Sequence, residues 1–297
     1  MLRRTREDWV VDTVNYLLLA VVALITIYPF YYVVVMSFND GIDAIAKGIY
    51  FWPRKFSLAN YQAFFNDARW IQALGVSASR TALGATLGTL FTCMVAYAFS
   101  RKHLMFRKFY SILLIFCMYF SGGLIAFYVV LRNYGLLNSF AVYIVPMMLS
   151  YFFVIVARSF FDELPNELME AAKIDGASDL GVFFRVVLPV SLPLIATMLL
   201  FIAVGHWNSW VDSAYYVRDE GLRTLSYRMM EVINKSINTD NLMQNMGAAA
   251  QMEEAMRTTS FSLQCASLVV CILPILCVYP FLQKYFVQGM MIGSVKG

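Results

Sequence analysis

The chain has 297 residues, of which 60% are hydrophobic and only 14% charged, with a mean hydropathy of +0.63. A soluble domain averages about 45–50% apolar and about 25% charged residues, so this surplus is too large for a core and belongs to a polytopic membrane protein. The net charge of +4 is scattered along the chain and leaves no basic face for nucleic acid.

A helix needs about 20 apolar residues to cross about 30 Å of hydrocarbon. Six segments meet that length: 13–38, 79–99, 109–131, 140–160, 190–211 and 260–282. They predict an all-α, six-helix transmembrane bundle that forms one domain over residues 1–297. The first run follows Arg3, Arg4 and Arg6. It is too long for the apolar region of a signal peptide and lacks a small-x-small cleavage site, so it reads as a retained helix. Residues 39–78 hold Trp52, Pro53 and Trp70 among several Tyr and Phe, a mix that predicts interfacial helices at headgroup level. Arg80, near the outer end of the second run, reads as a snorkelling side chain rather than as a contact to an acidic sugar. Gly84 and Gly88, with Ala85 and Thr89 beside them, form a G-x-x-x-G stripe that lets a neighbouring helix approach closely.

The short gap that follows carries Arg101, Lys102, Arg107 and Lys108. By the positive-inside rule it is cytoplasmic. Both termini and residues 161–189 then lie inside, and residues 39–78 and 212–259 lie outside. The second outer segment is long, polar and methionine-rich, with helical periodicity over Leu225–Ile237 and Leu242–Met256. The cysteines Cys93, Cys117, Cys265, Cys271 and Cys277 all fall in apolar runs. None forms a C-x-x-C pair, so they read as small buried hydrophobes, and no metal is expected.

One stretch breaks the apolar pattern: FDELPNELMEAAKIDGASDLGVFFRVVLPVSLP, from Phe161. Pro165 suits a helix start, and Glu167 and Glu170 suit its N-terminal half. Ala171 and Ala172 keep one surface flat, and Asp175-Gly176 allows a reversal. Ser178 or Asp179 can cap a second helix whose apolar face is Leu180, Phe183, Phe184 and Val187. Pro189 and Pro193 mark re-entry into the membrane. Two readings fit: an amphipathic connector resting on lipid, or a surface gripped by another protein. A connector on anionic lipid is normally lysine-rich, whereas this one carries Asp162, Glu163, Glu167, Glu170, Asp175 and Asp179.

The stretch resembles the EAA motif of permease subunits in ATP-binding-cassette importers of type I. That pattern is E-A-A, three residues, G, nine residues, an aliphatic residue, one residue, then L-P. Here it is Glu170-Ala171-Ala172, Gly176, Val186 and Leu188-Pro189, with Val186 in place of the usual isoleucine. The resemblance covers nearly the whole chain. AYAFSRKHLMFRK from Ala96, FSGGLIAFYVVLRNYGLLNS from Phe120, WNSW at Trp207–Trp210 and the ending KYFVQGMMIGSVKG look like the carbohydrate branch, in particular the maltose-permease-like partner. Ala126 stands where the family usually has proline.

The resemblance implies a transmembrane subunit of an ATP-driven importer in a bacterial inner membrane. It would form half of the pathway for a sugar, in particular an oligosaccharide. Glu170, Ala171, Ala172, Asp175, Gly176, Leu188 and Pro189 would couple it to a dimer of cytoplasmic ATPase subunits, which bind the ATP and Mg. The chain shows no G-x-x-x-x-G-K-[ST] run, holds no cofactor itself and is expected to be no enzyme on its own. The tail Gly293, Ser294, Val295, Lys296 and Gly297 would reach between the ATPases, or is a frayed terminus. Six helices are too few to enclose a pathway, so a second, related permease subunit is implied, in that branch a different one. An external solute-binding protein and membrane lipid complete the partners.

His206, Trp207, Asn208 and Trp210, with Tyr119, Ser121 and Asn133, are the candidates for the substrate path. Trp beside Asn suits a sugar, through ring stacking and amide hydrogen bonds. Trp at a helix end equally suits an interfacial anchor. Three rivals remain: an importer of the same class for a non-sugar solute, an ion-coupled secondary transporter, and a membrane-embedded enzyme. The second needs intramembrane carboxylates, which the six runs almost lack, and the third needs a catalytic cluster that is not seen.

Overall fold

The first helix, α1 (Arg6–Ser37), is apolar on all sides along most of its length. Such a helix has no polar face to turn to water, so it is stable only in lipid or within a larger core. The computed structural model describes residues 6–41, 43, 51–243, 261–278 and 280. After α1 come α2 (Ala59–Asn66), α3 (Ala68–Ser100), α4 (Arg107–Tyr119), α5 (Gly123–Asn133) and α6 (Tyr151–Asp162). They are followed by α7 (Asn166–Ile174), α8 (Asp179–Val190), α9 (Leu192–Asn208), α10 (Val211–Tyr216), α11 (Leu225–Met243) and α12 (Phe261–Val278). No strand occurs among the described residues beyond an isolated bridge between Asn39 and Phe56.

Trp9–Ser37, Ala68–Ser100 and Phe261–Val278 are each long and apolar enough to cross a membrane. Three bent pairs raise the total to six: Arg107–Tyr119 with Gly123–Asn133 (116°), Phe140–Met147 with Tyr151–Asp162 (45°), and Asp179–Val190 with Leu192–Asn208 (87°). Three of the apolar runs are therefore broken helices rather than straight ones. Each break has a local cause. Gly123 turns the third run with φ +76°, Ser150 caps α6, and Ser191 and Pro193 separate α8 from α9. The helix that carries the second apolar run, α3, starts at Ala68, well before that run.

Contacts divide the chain into two compact units. Among the described residues, the first contains 6–41, 43, 51–68, 229–243 and 261–273. Within it Val35 and Met36 of α1 pack on Cys265 of α12. Asn60 donates to the carbonyls of Ser37 (3.1 Å) and Asn39 (2.9 Å), which closes the end of α1.

The second unit contains Arg69–Arg228 and, among the described residues after it, 274–278 and 280, and α3 is its axis. One face of α3 buries Gly84, Ala85, Gly88, Thr89, Thr92, Cys93 and Ala96. A Cβ added to Gly84 would stand 2.6 Å from the imidazole of His206 on α9. One added to Gly88 would touch the Met147 carbonyl at 3.5 Å and Ile202 at 3.7 Å. The glycine stripe is thus a packing seam for α9 and the broken fourth run. Thr92, one turn further on, repairs that break. Its hydroxyl donates to the Met148 carbonyl (3.3 Å) and accepts from the Ser150 N–H (3.2 Å). Irregular backbone at membrane depth survives only where protein satisfies it in this way. Below the seam, Cys93, Tyr97, Val154, Phe161, Met169, Val182, Phe183, Val187 and Met198 form one core.

At the other end of α3, Arg80 is fully buried and does not snorkel. It forms an ion pair with Asp212 of α10. It also donates to the Ser209 carbonyl (3.0 Å) and lies 4.6 Å over the Tyr143 ring. Ser209 donates to Asp212 (3.0 Å), and Tyr143 donates to the Leu222 carbonyl (2.8 Å). Ser77, one turn earlier, accepts the Leu225 N–H at 2.8 Å. One face of α3 therefore holds the whole segment from Ser209 to Leu225. The periodicity over Leu225–Ile237 is helical within α11, whereas most of Leu242–Met256 lies outside the described residues.

Replacing Arg80 by Met should leave Asp212 buried and uncompensated, costing about 3–5 kcal/mol, and Arg80→Met with Asp212→Leu should recover much of that loss. Thermal melts of the purified protein in detergent check this, and singles that melt like the wild type would refute it. Gly84→Leu should overpack the seam by at least about 1–3 kcal/mol, and Thr92→Val should cost about 1–3 kcal/mol through the freed backbone groups. The same melts, compared with Gly75→Ala where an added Cβ meets nothing within 4 Å, read both.

Candidate functional site

The polar stretch folds as a helix pair with a buried base and an exposed crown. Pro165 stands just before α7, with extended backbone, and Glu167 lies in the first turn. Met169 is buried, and Ala172 packs partly onto the core. Glu170, Ala171, Asp175 and Gly176 are all exposed. Ile174 is 86% exposed, an unusual position for a large apolar side chain between two polar ones.

The reversal between the helices is fully hydrogen-bonded. Gly176 takes φ +84°, its N–H donates to the Lys173 carbonyl (3.0 Å), and the Ala177 N–H donates to the Ala172 carbonyl (2.9 Å). This is a Schellman ending, which needs the left-handed residue that glycine supplies. Ser178 then caps α8 by accepting the Gly181 N–H at 3.2 Å. Lys173 donates to Asp179 at 2.8 Å across the turn, and this bond holds its ammonium above the usual lysine range.

Arg101 in the gap after α3 supports the pair directly, and Arg107 of α4 and Arg158 of α6 tie together the elements beneath it. Arg101 stacks on Tyr97 at 4.7 Å and reaches the Met169 sulfur. Arg107 donates to the Phe99 carbonyl (2.7 Å) and pairs with Asp162 (3.2 Å). Arg158 donates to Ser111 at 2.9 Å. A notch of about 300 Å3 opens beside Glu170, lined by Arg101, His103, Asp162, Met169 and Lys173.

The buried face of α8 differs from the expected one. Val182, Phe183 and Val187 are buried, whereas Leu180 and Phe184 are largely exposed. The buried face is centred on Val182, Phe183, Val186 and Val187, which keep helical spacing, and a widened, π-helical turn runs over Phe183–Val187. Pro189 follows it, and a proline ring crowds the carbonyl of the preceding turn, which a widened turn relieves. Leu188 is half-buried on the core and Pro189 is exposed.

The candidate substrate-path residues fall into distinct settings. His206 is buried against Gly84, and its Nδ1 has no hydrogen-bond partner. Trp207 is buried, and its carbonyl accepts the Ser226 hydroxyl at 2.7 Å. Asn208 ends α9 and is exposed, and Trp210 is half-buried. Tyr119 and Ser121 flank the bend between α4 and α5, and Ser121 accepts the Gly123 N–H at 3.3 Å. Tyr119 is 81% exposed. Asn133 is the exposed last residue of α5. The tail Gly293–Gly297 lies outside the described residues. Among the described residues, no three His, Cys, Asp or Glu side chains gather as a metal set.

Sequence reading missed the Arg80–Asp212 pair. The available signal was an isolated arginine inside an apolar run and an isolated aspartate just past WNSW, both at one end of their helices.

A family model described as "Binding-protein-dependent transport system inner membrane component" matches residues 1–292. The Bacillus subtilis protein LplC is 38% identical over 296 residues, covering 100% of this chain and 98% of that protein. The polygalacturonan/rhamnogalacturonan transport system permease protein YtcP of Bacillus subtilis is 35% identical over 286 residues, covering 96% and 98%. Among solved structures, a chain of a bacterial ABC transporter involved in the import of the acidic polysaccharide alginate superposes with a TM-score of 0.84 at 26% identity, covering 96% of this chain and 100% of that one. The six candidate spans, the helix pair and these matches over nearly its full length give one conclusion: the chain belongs to the family of inner membrane components of binding-protein-dependent transport systems.

Proposed function

We propose that the chain is one of two transmembrane subunits of an ATP-driven importer for an oligosaccharide, and that α7 and α8 couple it to separate ATPase subunits. The observation that carries this reading is the exposed crown of Glu170, Ala171, Ile174 and Asp175 on a base tied into the core by Met169, Ala172 and Val182. A lipid-resting connector would bury its apolar side chains downward and keep no isoleucine projecting between acids. A protein cleft can take the isoleucine and the flat alanine surface, with a cation for Glu170.

The pair is rigid at the turn and packed on Tyr97, Phe161 and Met198, so a push on the crown is transmitted to α3 and α9. Closure of two ATPases on ATP and Mg would bias the membrane helices between inward- and outward-facing states, as would docking of a loaded solute-binding protein. The residues assigned to this coupling are Glu170, Ala171, Ala172, Asp175, Gly176, Leu188 and Pro189, and the tail Gly293–Gly297 is a second contact to the ATPases. The whole of 1–297 acts as one permease domain in a bacterial inner membrane, with both termini cytoplasmic. The second permease subunit is related but different.

The oligosaccharide reading is supported by the likeness to YtcP, a polygalacturonan/rhamnogalacturonan transport system permease, and to a chain of a transporter involved in alginate import. Asn208, Tyr119, Ser121 and Asn133, which are exposed, and the half-buried Trp210 offer amides, hydroxyls and rings suited to sugar. Ion-coupled transport finds little support. Asp212, the buried carboxylate among the described residues, is neutralised by Arg80.

Affinity purification of the full chain with its membrane neighbours should bring down an ATPase and a second permease. Glu170→Ala with Gly176→Pro should detach the ATPase or abolish substrate-stimulated ATP hydrolysis while the two permeases stay together. Recovery of no ATPase under any solubilisation would defeat the reading. Deletion of Gly293–Gly297 should lower coupled ATPase turnover without loss of assembly, and a truncated complex with full stimulated turnover would remove the tail from the mechanism.

A further inference from the structure

At the end of the second unit opposite the helix pair, a cavity of about 540 Å3 opens between the end of α5 and the segment after α10. This lies within the range of small-ligand sites, about 300–1,000 Å3. Its walls carry Arg132 and Arg218, the rings of Tyr128, Tyr215 and Tyr216, and Asn138. No acidic side chain lines it. Arg132 and Arg218 are both exposed, and among the described residues neither side chain makes an ion pair or hydrogen bond.

The cavity is built rather than incidental. Asn138 sits in the left-handed region at φ 56°, and its Oδ1 accepts the N–H groups of Arg218 (2.9 Å) and Asp219 (2.7 Å). Its own N–H donates to the Tyr216 carbonyl at 2.9 Å. Tyr216 packs on Phe127 and Tyr128 at 5.7 and 6.4 Å between ring centroids, over a core with Leu131, Val142 and Tyr143. Two loops are thereby stapled together, and each presents one guanidinium to the same space. A neutral sugar has no use for two unpaired cations. A carboxylate does, because the guanidinium fork matches it with two parallel hydrogen bonds. The tyrosine rings and phenols suit the C–H faces and hydroxyls of the sugar that bears it.

On the importer reading, we propose that this cavity is an entry subsite for carboxylate-bearing oligosaccharides, with Arg132 and Arg218 as the specificity-determining pair. The substrate is then an acidic chain of the uronate type rather than a neutral one. Arg132 and Arg218 hold its carboxylate, and Asn138 positions Arg218.

The test uses the full chain with its co-purifying partners in phosphatidylcholine nanodiscs, with saturation-transfer NMR titrations of trigalacturonate and its methyl ester. The acid should bind about tenfold tighter than the ester or better, the scale of one charge-assisted hydrogen bond. Arg132→Gln with Arg218→Gln should erase that preference and leave the ester unchanged. Arg132→Lys with Arg218→Lys should keep an intermediate preference, because an ammonium retains charge without the fork. The retained ester signal shows that the variants are folded. Equal binding of acid and ester by the wild type overturns the proposal. So does a Gln pair that keeps its acid preference but loses salt-sensitive capture of the solute-binding protein, which makes the cavity a protein-docking surface. ATP-dependent uptake of a neutral oligosaccharide with no signal from trigalacturonate sinks the acidic subsite and leaves the importer reading intact. Acid-selective binding by a chain that recruits no ATPase does the reverse.

Discussion

A buried arginine in an apolar helix is tolerable only if its charge is answered, and the ion pair between Arg80 and Asp212 answers it. Desolvating two charges costs several kcal/mol each, so the pair is weak as a source of net stability and strong as a constraint. Breaking it in any rearrangement would strand a charge. Arg80 therefore ties α3 to α10 and to the Ser209 carbonyl, and its stacking over Tyr143 extends the tie to the broken fourth run. The segment that follows, with Ser213, Thr224 and Leu225, inherits its position from the same face of α3 through Ser77 and the Thr224–Ser213 bond.

The rest of the second unit repeats this logic with weaker groups. Gly84 and Gly88 remove side chains where α9 and the fourth run must come close. Thr92 then supplies a donor and an acceptor where that run leaves helical geometry. In water a break of this kind would be hydrated. At membrane depth it must be satisfied by a neighbouring helix, so the broken runs and the central helix are chemically matched parts. The helix pair at the opposite end rests on the same helix through Tyr97 and Arg101. One element thus touches the base of the helix pair at one end and the charged lock at the other.

The exposed crown of α7 shows how packing and exposure divide a short helix. Met169 and Ala172 face the core, and Glu170, Ala171 and Ile174 face away. Gly176 could not be replaced without strain, since a side chain at φ +84° is disfavoured whatever space surrounds it.

Composition and run length alone determined that the chain spans a membrane with helices, because no soluble surface can be assembled from so few polar residues. The spacing from Glu170 to Pro189, the Asp-Gly reversal and the glycine stripe were equally legible, since each is a local requirement written in neighbouring residues. Three things were decided only by tertiary structure. The face of α8 that packs on the core is Val182, Phe183 and Val187, because the core lies on that side, so Leu180 and Phe184 face outward. His206 turned inward because Gly84 left room for its ring. Arg80 found Asp212, and Arg132 came to share a cavity with Arg218, across long stretches of chain. Sequence carries the charges, but only the folded chain sets which of them meet. An isolated arginine in an apolar run therefore reads as snorkelling until its partner is seen.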